Sequence, residues 1–311
     1  MLQYLIIQLD ETSSSYCHYS NPSVKRKLIC LDDLKKGIKF SMKENLNVQF
    51  LYPNYKIPEE YREIIESIDH IKMGPLECEE NLDVIVIDTP HLETDLANCV
   101  IWRCSLQDLV SQIEGVVQLM KKTSRLNVIL TDILDWDKTD FKDYESALLR
   151  IGEGVIDIYK SKGRVEINLL TDRVMLDSMN NCNAGETNLT LAPNGKFYVC
   201  PAFYFENPSD SVGSLKNGIH IANAQLYRLD HAPLCRSCDA FQCKRCIWMN
   251  QKSTLDCNTP SHEQCVSAHI ERNISRMLRQ ELLELGINFN NSKEIDIIDY
   301  LDPFNKQEHG D

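Results

Sequence analysis

The chain lacks any apolar run long enough to cross a membrane. Stretches such as Leu5–Ile7 and Val84–Ile87 fall far short of the roughly 20 residues a spanning helix needs. It also lacks a basic leader. Met1–Leu9 carries no positive charge and runs into Asp10 and Glu11, so no secretory signal is read and a cytoplasmic location without membrane partners is expected. Positive charge is scarce: 33 Lys and Arg against 46 Asp and Glu leave a net charge of −13. That balance argues against nucleic acid as a partner. Internal repeats and low-complexity stretches are missing, and no two of the twelve glycines are adjacent. What remains, 43% hydrophobic and 25% charged over 311 residues, is the balance of a folded chain with room for two domains.

Cysteine is what the chain has in plenty. Eight of its thirteen cysteines (182, 200, 235, 238, 243, 246, 257 and 265) fall within 84 residues, where even spreading would put about half as many. In a reducing compartment such clustering points to metal ligands before disulfides.

Ahead of that cluster the pattern alternates. Strands are expected at Gln3–Leu9, Val48–Tyr52, Val84–Asp88, Cys99–Arg103, Leu126–Thr131 and Val165–Leu170. Helices are expected at Leu34–Lys43, Glu59–Ile68 and Phe141–Tyr159. Leu106, Leu109, Val110, Ile113, Val116, Val117 and Met120 recur at helical spacing and predict one further helix, opened by a Ser105–Asp108 capping box. Alternation of this kind implies right-handed βαβ units around a parallel sheet. Six strands are too few for a closed eight-fold barrel, so the expected class is α/β with a partial (βα)6 barrel. After Thr171 the chain changes character. A hairpin is expected over 188–200, turning at Asn194–Gly195, and a long helix from Val266 to Gly286. The expected domains are 1–172, 173–265 with the metal-binding cysteines, and 266–311, a helix and acidic tail whose apolar patch at 295–301 suggests a docking helix.

Cys235, Cys238, Cys243 and Cys246 place four thiols in twelve residues. One tetrahedral zinc usually draws its knuckles from more distant segments, and ferredoxin-type runs relieve such crowding by sending a cysteine to another cluster. The spacing therefore suggests two neighbouring sites completed by Cys182, Cys200 and Cys265, with iron–sulfur or zinc as the occupant.

Cys182-x12-Gly195-x4-Cys200, the four-cysteine run and Cys265 together resemble the SPASM domain that follows radical SAM peptide-modifying cores. The first half of that signature matches in full. The second departs by one residue in two spacings, and Lys244-Arg245 stands where Gly-Gly is frequent. The resemblance implies [4Fe–4S] clusters, one or two, ahead of zinc. It assigns Cys182, Cys200 and Cys246 to one cluster and Cys235, Cys238, Cys243 and Cys265 to the other. The further cysteine of a full first cluster is missing between 183 and 192, leaving an open iron or recruitment of Cys257 as an eighth ligand.

The same family places Cys-x3-Cys-x2-Cys after the first strand, and here those positions read Ser13, Cys17 and Ser20, with Tyr19 kept. The Gly-Gly-Glu loop for the SAM methionine is missing too. The resemblance is therefore to a radical SAM-like core without SAM cleavage, and SAM is not expected as a cofactor. More narrowly, Leu5–Asp10, Cys17–Tyr19, Leu170–Arg173, Asn181–Gly185, Tyr227–Pro233 and Thr259–Cys265 resemble the CXXX repeat peptide maturases. That resemblance implies a cysteine-rich ribosomal precursor peptide as partner, with a small accessory protein alongside, and carries over no reaction.

Other residues carry weaker signals. Cys17 and His18 are the candidate catalytic pair, as nucleophile and base or as metal ligands. His231 and His262 flank cluster cysteines, with loop solvation the simpler reading. Cys30, Cys99 and Cys104 read as small core residues. Trp248 and Phe241 read as shields around a cluster, and Asp10 and Glu11 as a solvated carboxylate pair at a strand end. Two functions follow: an iron–sulfur peptide-modifying protein, or a non-catalytic peptide-binding or electron-transfer scaffold with structural iron–sulfur or zinc sites.

Overall fold

The computed structural model describes residues 2–90, 98–176, 178–243 and 245–287; the patch at 295–301 lies outside them. Along the chain run β1 (Tyr4–Gln8), α1 (Leu31–Glu44), β2 (Asn47–Leu51), α2 (Glu59–Ile65), β3 (His70–Pro75), β4 (Val84–Ile87) and β5 (Cys99–Cys104). Then come α3 (Leu106–Ser111), α4 (Ile113–Met120), β6 (Arg125–Leu130), α5 (Lys138–Lys160), β7 (Glu166–Ile167) and α6 (Thr171–Met175). The remainder holds β8 (Asn188–Leu191), β9 (Lys196–Tyr198), α7 (Pro201–Glu206), β10 (Gly213–Ser214), β11 (Gly218–Ile219), α8 (Ile247–Thr254) and α9 (His262–Glu284). No helix among the described residues is long and apolar enough to cross a membrane.

The chain divides into two compact units built from interleaved stretches: Met1–Ile87, Leu96–Ile101 and Cys182–His231 form the first, and the rest forms the second.

In the first unit β1 is central, with β2 and β8 both parallel to it (Tyr4 opposite Asn47 and Asn188). β3 follows β2 and β4 follows β3 in parallel, while β9, β10 and β11 extend the β8 side antiparallel. Fully buried Leu5, Ile7, Leu9, Phe50, Leu189 and Leu191 join Leu34 and Ile38 of α1 in one core. Each such side chain removed from water contributes about 1.5–3 kcal/mol. Beyond β1, Asp10 bridges to Leu28, so residues 11–27 form a long loop at the strand's C-terminal end, where parallel α/β sheets place their functional loops.

In the second unit β6 and β7 pair in parallel (Arg125 opposite Glu166), and α5 packs against α3, α4 and α9. The parallel α/β expectation holds. Its details differ in three places. β3 was not expected, because His70, Lys72, Gly74 and Pro75 break its apolar run. The expected helix over 106–120 is two, broken at Gln112 (φ −110°, ψ 18°), which leaves Val110 exposed and buries Leu119. The expected strand 165–170 pairs only at Glu166–Ile167, because the Asn168 and Leu169 carbonyls accept from the Arg173 guanidinium instead of a neighbouring strand (3.0 and 2.7 Å).

Candidate metal centre

The second unit contains a small, partly open cavity whose wall carries four thiols: Cys235, Cys238, Cys243 and Cys265. His269, Arg245 and Gln264 complete its polar lining. Three thiols come from an irregular segment with little more than a turn at Cys235–Ser237; Cys265 and His269 come from α9, one helical turn apart. Among the described residues no three His, Cys, Asp or Glu side chains close around a single ion. The four thiols line the cavity without meeting at one point.

Charged side chains of the same unit hold that segment to α9. Asp239, fully buried between Cys238 and Ala240, accepts from Arg272 (2.7 Å) and from Arg276. Arg173, 1% exposed, donates to the Gln242 carbonyl (2.7 Å) beside Cys243 and pairs with Glu271, 0% exposed, which also accepts from the Tyr144 hydroxyl. Burial lowers the pKa of Arg173 to about 10, so the guanidinium still carries its charge at neutral pH. Arg245 donates to Asn258 (2.8 Å), and Gln264 bonds Asn250 (2.9 Å), whose amide in turn holds the Cys257 carbonyl (2.7 Å).

Burial pushes the Cys235 thiol up to about 12 and Cys238 up to about 11, and the nearby Cys243 adds to both. Arg245 beside Cys235 and the Ala240 N–H, 3.4 Å from Cys238 Sγ, act in the opposite direction by favouring thiolate. His269 Nε2 lies 3.8 Å from Cys238 Sγ. Four thiols at a wall of mostly apolar groups, one of them accepting from the Ala240 N–H, are a donor set that fits an iron–sulfur cluster ligated by four cysteines.

The remaining candidates scatter. Cys246 caps α8 in the same unit, and Cys257 Sγ lies 3.9 Å from the Gln251 side chain; neither lines the cavity. His262 meets the Phe141 ring (6.1 Å) and Glu263, and Trp248 carries Lys252 over its face (4.6 Å). Neither Trp248 nor Phe241 is part of the cavity wall, where Met179, Ala240, Pro260 and Ala268 do the shielding. Cys104 is buried as expected, but Cys30 is exposed because it caps α1.

In the first unit, Ser13 is fully buried and committed to the backbone. Its hydroxyl donates to the Leu51 carbonyl (2.8 Å) and accepts from the Asp10 N–H (3.1 Å). Ser20 is exposed. Positions 13, 17 and 20 thus offer one thiol, one engaged hydroxyl and one solvated hydroxyl, which do not fit a three-thiolate cluster. Asp10 is buried as well, against the expectation of solvent. Its carboxylate accepts from the Thr12 N–H (2.8 Å), the Thr12 hydroxyl and Tyr55 (2.8 Å). Glu11 pairs with Lys27 (3.0 Å). Cys182 and Cys200 also belong to this unit, at the start of the β8–β9 hairpin and at the N-terminus of α7.

No family model and no curated protein matches the chain. Solved structures do. Native anSMEcpe with bound AdoMet superposes with a TM-score of 0.62 at 13% identity, over 90% of this chain and 99% of that one. The same protein with bound AdoMet and Cp18Cys peptide gives 0.57 at 14% identity, over 92% and 100%. At this identity the likeness is one of fold alone.

Proposed function

We propose that this chain is a maturation factor for a ribosomally made, cysteine-rich peptide of the CXXX repeat kind, built on auxiliary iron–sulfur clusters without SAM cleavage. The observation that carries the reading is the convergence of Cys235, Cys238, Cys243 and Cys265 on one cavity. The alternating strands and helices of residues 1–172 read as the partial barrel of a radical SAM-like core. Likeness to a structure holding a peptide supports a peptide partner; the cysteine-rich precursor and the accessory protein rest on the sequence resemblance.

A cluster on the four thiolates would supply electron transfer, with every iron already ligated by the chain. The chain's own residues do the rest. Ala240, Ala268 and Pro260 keep water from the thiols, and the Ala240 N–H stabilises negative charge on Cys238. Arg272, Arg276 and Arg173 fix the segment that presents three of the ligands.

Engagement of Ser13 with the backbone favours a second reading, a non-catalytic peptide-binding or electron-transfer scaffold. Iron, acid-labile sulfide and zinc counted on anaerobically purified protein, together with anisotropy of a labelled CXXX repeat peptide, test both. About eight irons and sulfides, or about four, with binding lost when the peptide's cysteines become serine, support the first reading. About two zincs without sulfide overturn it and leave a zinc-stabilised scaffold.

A further inference from the structure

A chain with a net charge of −13 carries one run of three consecutive cations, Lys25-Arg26-Lys27, and the stretch 21–28 around it has no carboxylate. The run lies in the loop after β1, at the C-terminal end of the first unit's parallel strands, and all three residues are exposed. That loop is tied down on both sides of the run. The Asn21 amide donates to the Glu11 and Ser13 carbonyls (2.8 Å each), and its Oδ1 accepts from the Ser23 N–H (2.8 Å). The Lys27 carbonyl accepts from the Glu11 N–H (3.1 Å), and Lys27 Nζ pairs with the Glu11 carboxylate (3.0 Å). Between these ties Arg26 holds its guanidinium carbon 4.3 Å from the centre of the Tyr55 ring. Tyr55 is itself fixed, its hydroxyl donating to buried Asp10 (2.8 Å). Lys56, next to Tyr55, is exposed as well. Among the described residues no carboxylate pairs with Lys25, Arg26 or Lys56. Val24, beside them, is 94% exposed.

A guanidinium already held over a fixed ring loses little freedom when its N–H fork meets a carboxylate, and Lys25 and Lys56 add point charges beside it. The excess of carboxylates over the rest of the chain repels an acidic partner, so this patch decides where such a partner lands. We propose that Lys25, Arg26 and Lys56 dock an acidic segment of the peptide partner, with Val24 meeting an apolar side chain of that segment. The inference rests on the peptide-partner reading above and adds which part of the peptide is gripped, and by which face.

The test is fluorescence anisotropy with the full-length chain and short labelled peptides, at low and at physiological salt. One peptide is rich in Asp, Glu and Leu, a second replaces its acids by Asn and Gln, and a third is a CXXX repeat without carboxylates. The acidic peptide should bind about tenfold tighter than its amide counterpart, a gap that salt narrows. Lys25→Glu/Arg26→Glu/Lys56→Glu should abolish the preference. Lys121→Glu/Lys122→Glu/Lys142→Glu changes the net charge equally, on exposed lysines of the second unit, and should keep it. Arg26→Gln alone should weaken binding about two- to fivefold, as loss of one exposed ion pair implies, and decides the matter if circular dichroism shows the first triple variant unfolded. Equal binding of the acidic and amide peptides, or equal loss in both triple variants, overturns the proposal. So does a short DNA single strand that binds as tightly as the acidic peptide at physiological salt, since the patch would then be a general anion site. A chain that ignores the CXXX repeat peptide, or holds no iron and sulfide, overturns the parent reading while the acidic preference stands, so the two failures are distinguishable.

Discussion

His269 shows how much one side chain can set at the cavity. It follows Cys265 by four positions on α9, so both project from one face, and its Nε2 lies 3.8 Å from Cys238 Sγ. In the proposed cluster, an Nε2–H donated to the Cys238 sulfur would stabilise the extra negative charge of the reduced state, so its removal should make that cluster harder to reduce. His269→Leu is expected to lower the midpoint potential of the cluster proposed for the second unit by an amount on the order of tens of millivolts, as the loss of one hydrogen bond implies. Redox titration followed by EPR checks it; an unchanged potential would show that His269 only packs. The i, i+4 pair Cys265 and His269 is present in the sequence, but His231 and His262 lie at least as close to a cysteine along the chain, so chain distance alone does not single out His269. Distance along a helix face was the better guide. Gly195 is the opposite case, readable in sequence with its reason visible only in space. It turns the β8–β9 hairpin at φ +73°, and an added Cβ would come within 2.7 Å of an Asp33 carboxylate oxygen.

At the scale of elements, α9 is the beam to which the cysteine segment is tied. Glu271 is the central tie, fully buried and shared by Arg173 and Tyr144. Removing one partner of a buried ion pair leaves an uncompensated charge, at a cost of about 3–5 kcal/mol. Glu271→Ala should therefore lower unfolding stability by about that much, read from urea denaturation. Arg173→Met combined with Glu271→Leu should recover most of the loss, because no charge is then stranded. A double variant as unstable as Glu271→Ala alone would argue that geometry, not charge, dominates. Most helices and strands could be read from period and caps; the Ser105–Asp108 capping box is formed as expected. What could not be read were the breaks. The face buried by two short helices mimics that of one long helix, and Arg173 ends β7 by taking carbonyls from a position several residues downstream.

On the scale of the whole molecule, Cys182–His231 joins the β1 side because β8 pairs with β1. That contact spans about 180 residues and leaves no local trace in composition or period. The two units should consequently depend on metal to different degrees. β1, β2 and β8 share an apolar core with α1 that owes nothing to the cysteines. The described residues of 235–246 have little regular structure beyond the turn at Cys235–Ser237, and their order depends on the α9 ion pairs and on any metal–sulfur bonds formed there. Ligand binding stabilises only the state that binds, so stripping the clusters by oxidation and chelation removes that contribution locally. Hydrogen exchange on stripped protein should accelerate across 235–246 and the first turn of α9, while amides of β1 and β2 keep their protection. Equal acceleration in β1 and β2 would mean that the metal sites, and not the apolar core, nucleate the first unit. Unchanged exchange at 235–246 would mean that Asp239, Arg272 and Glu271 suffice to order the ligands before any metal arrives.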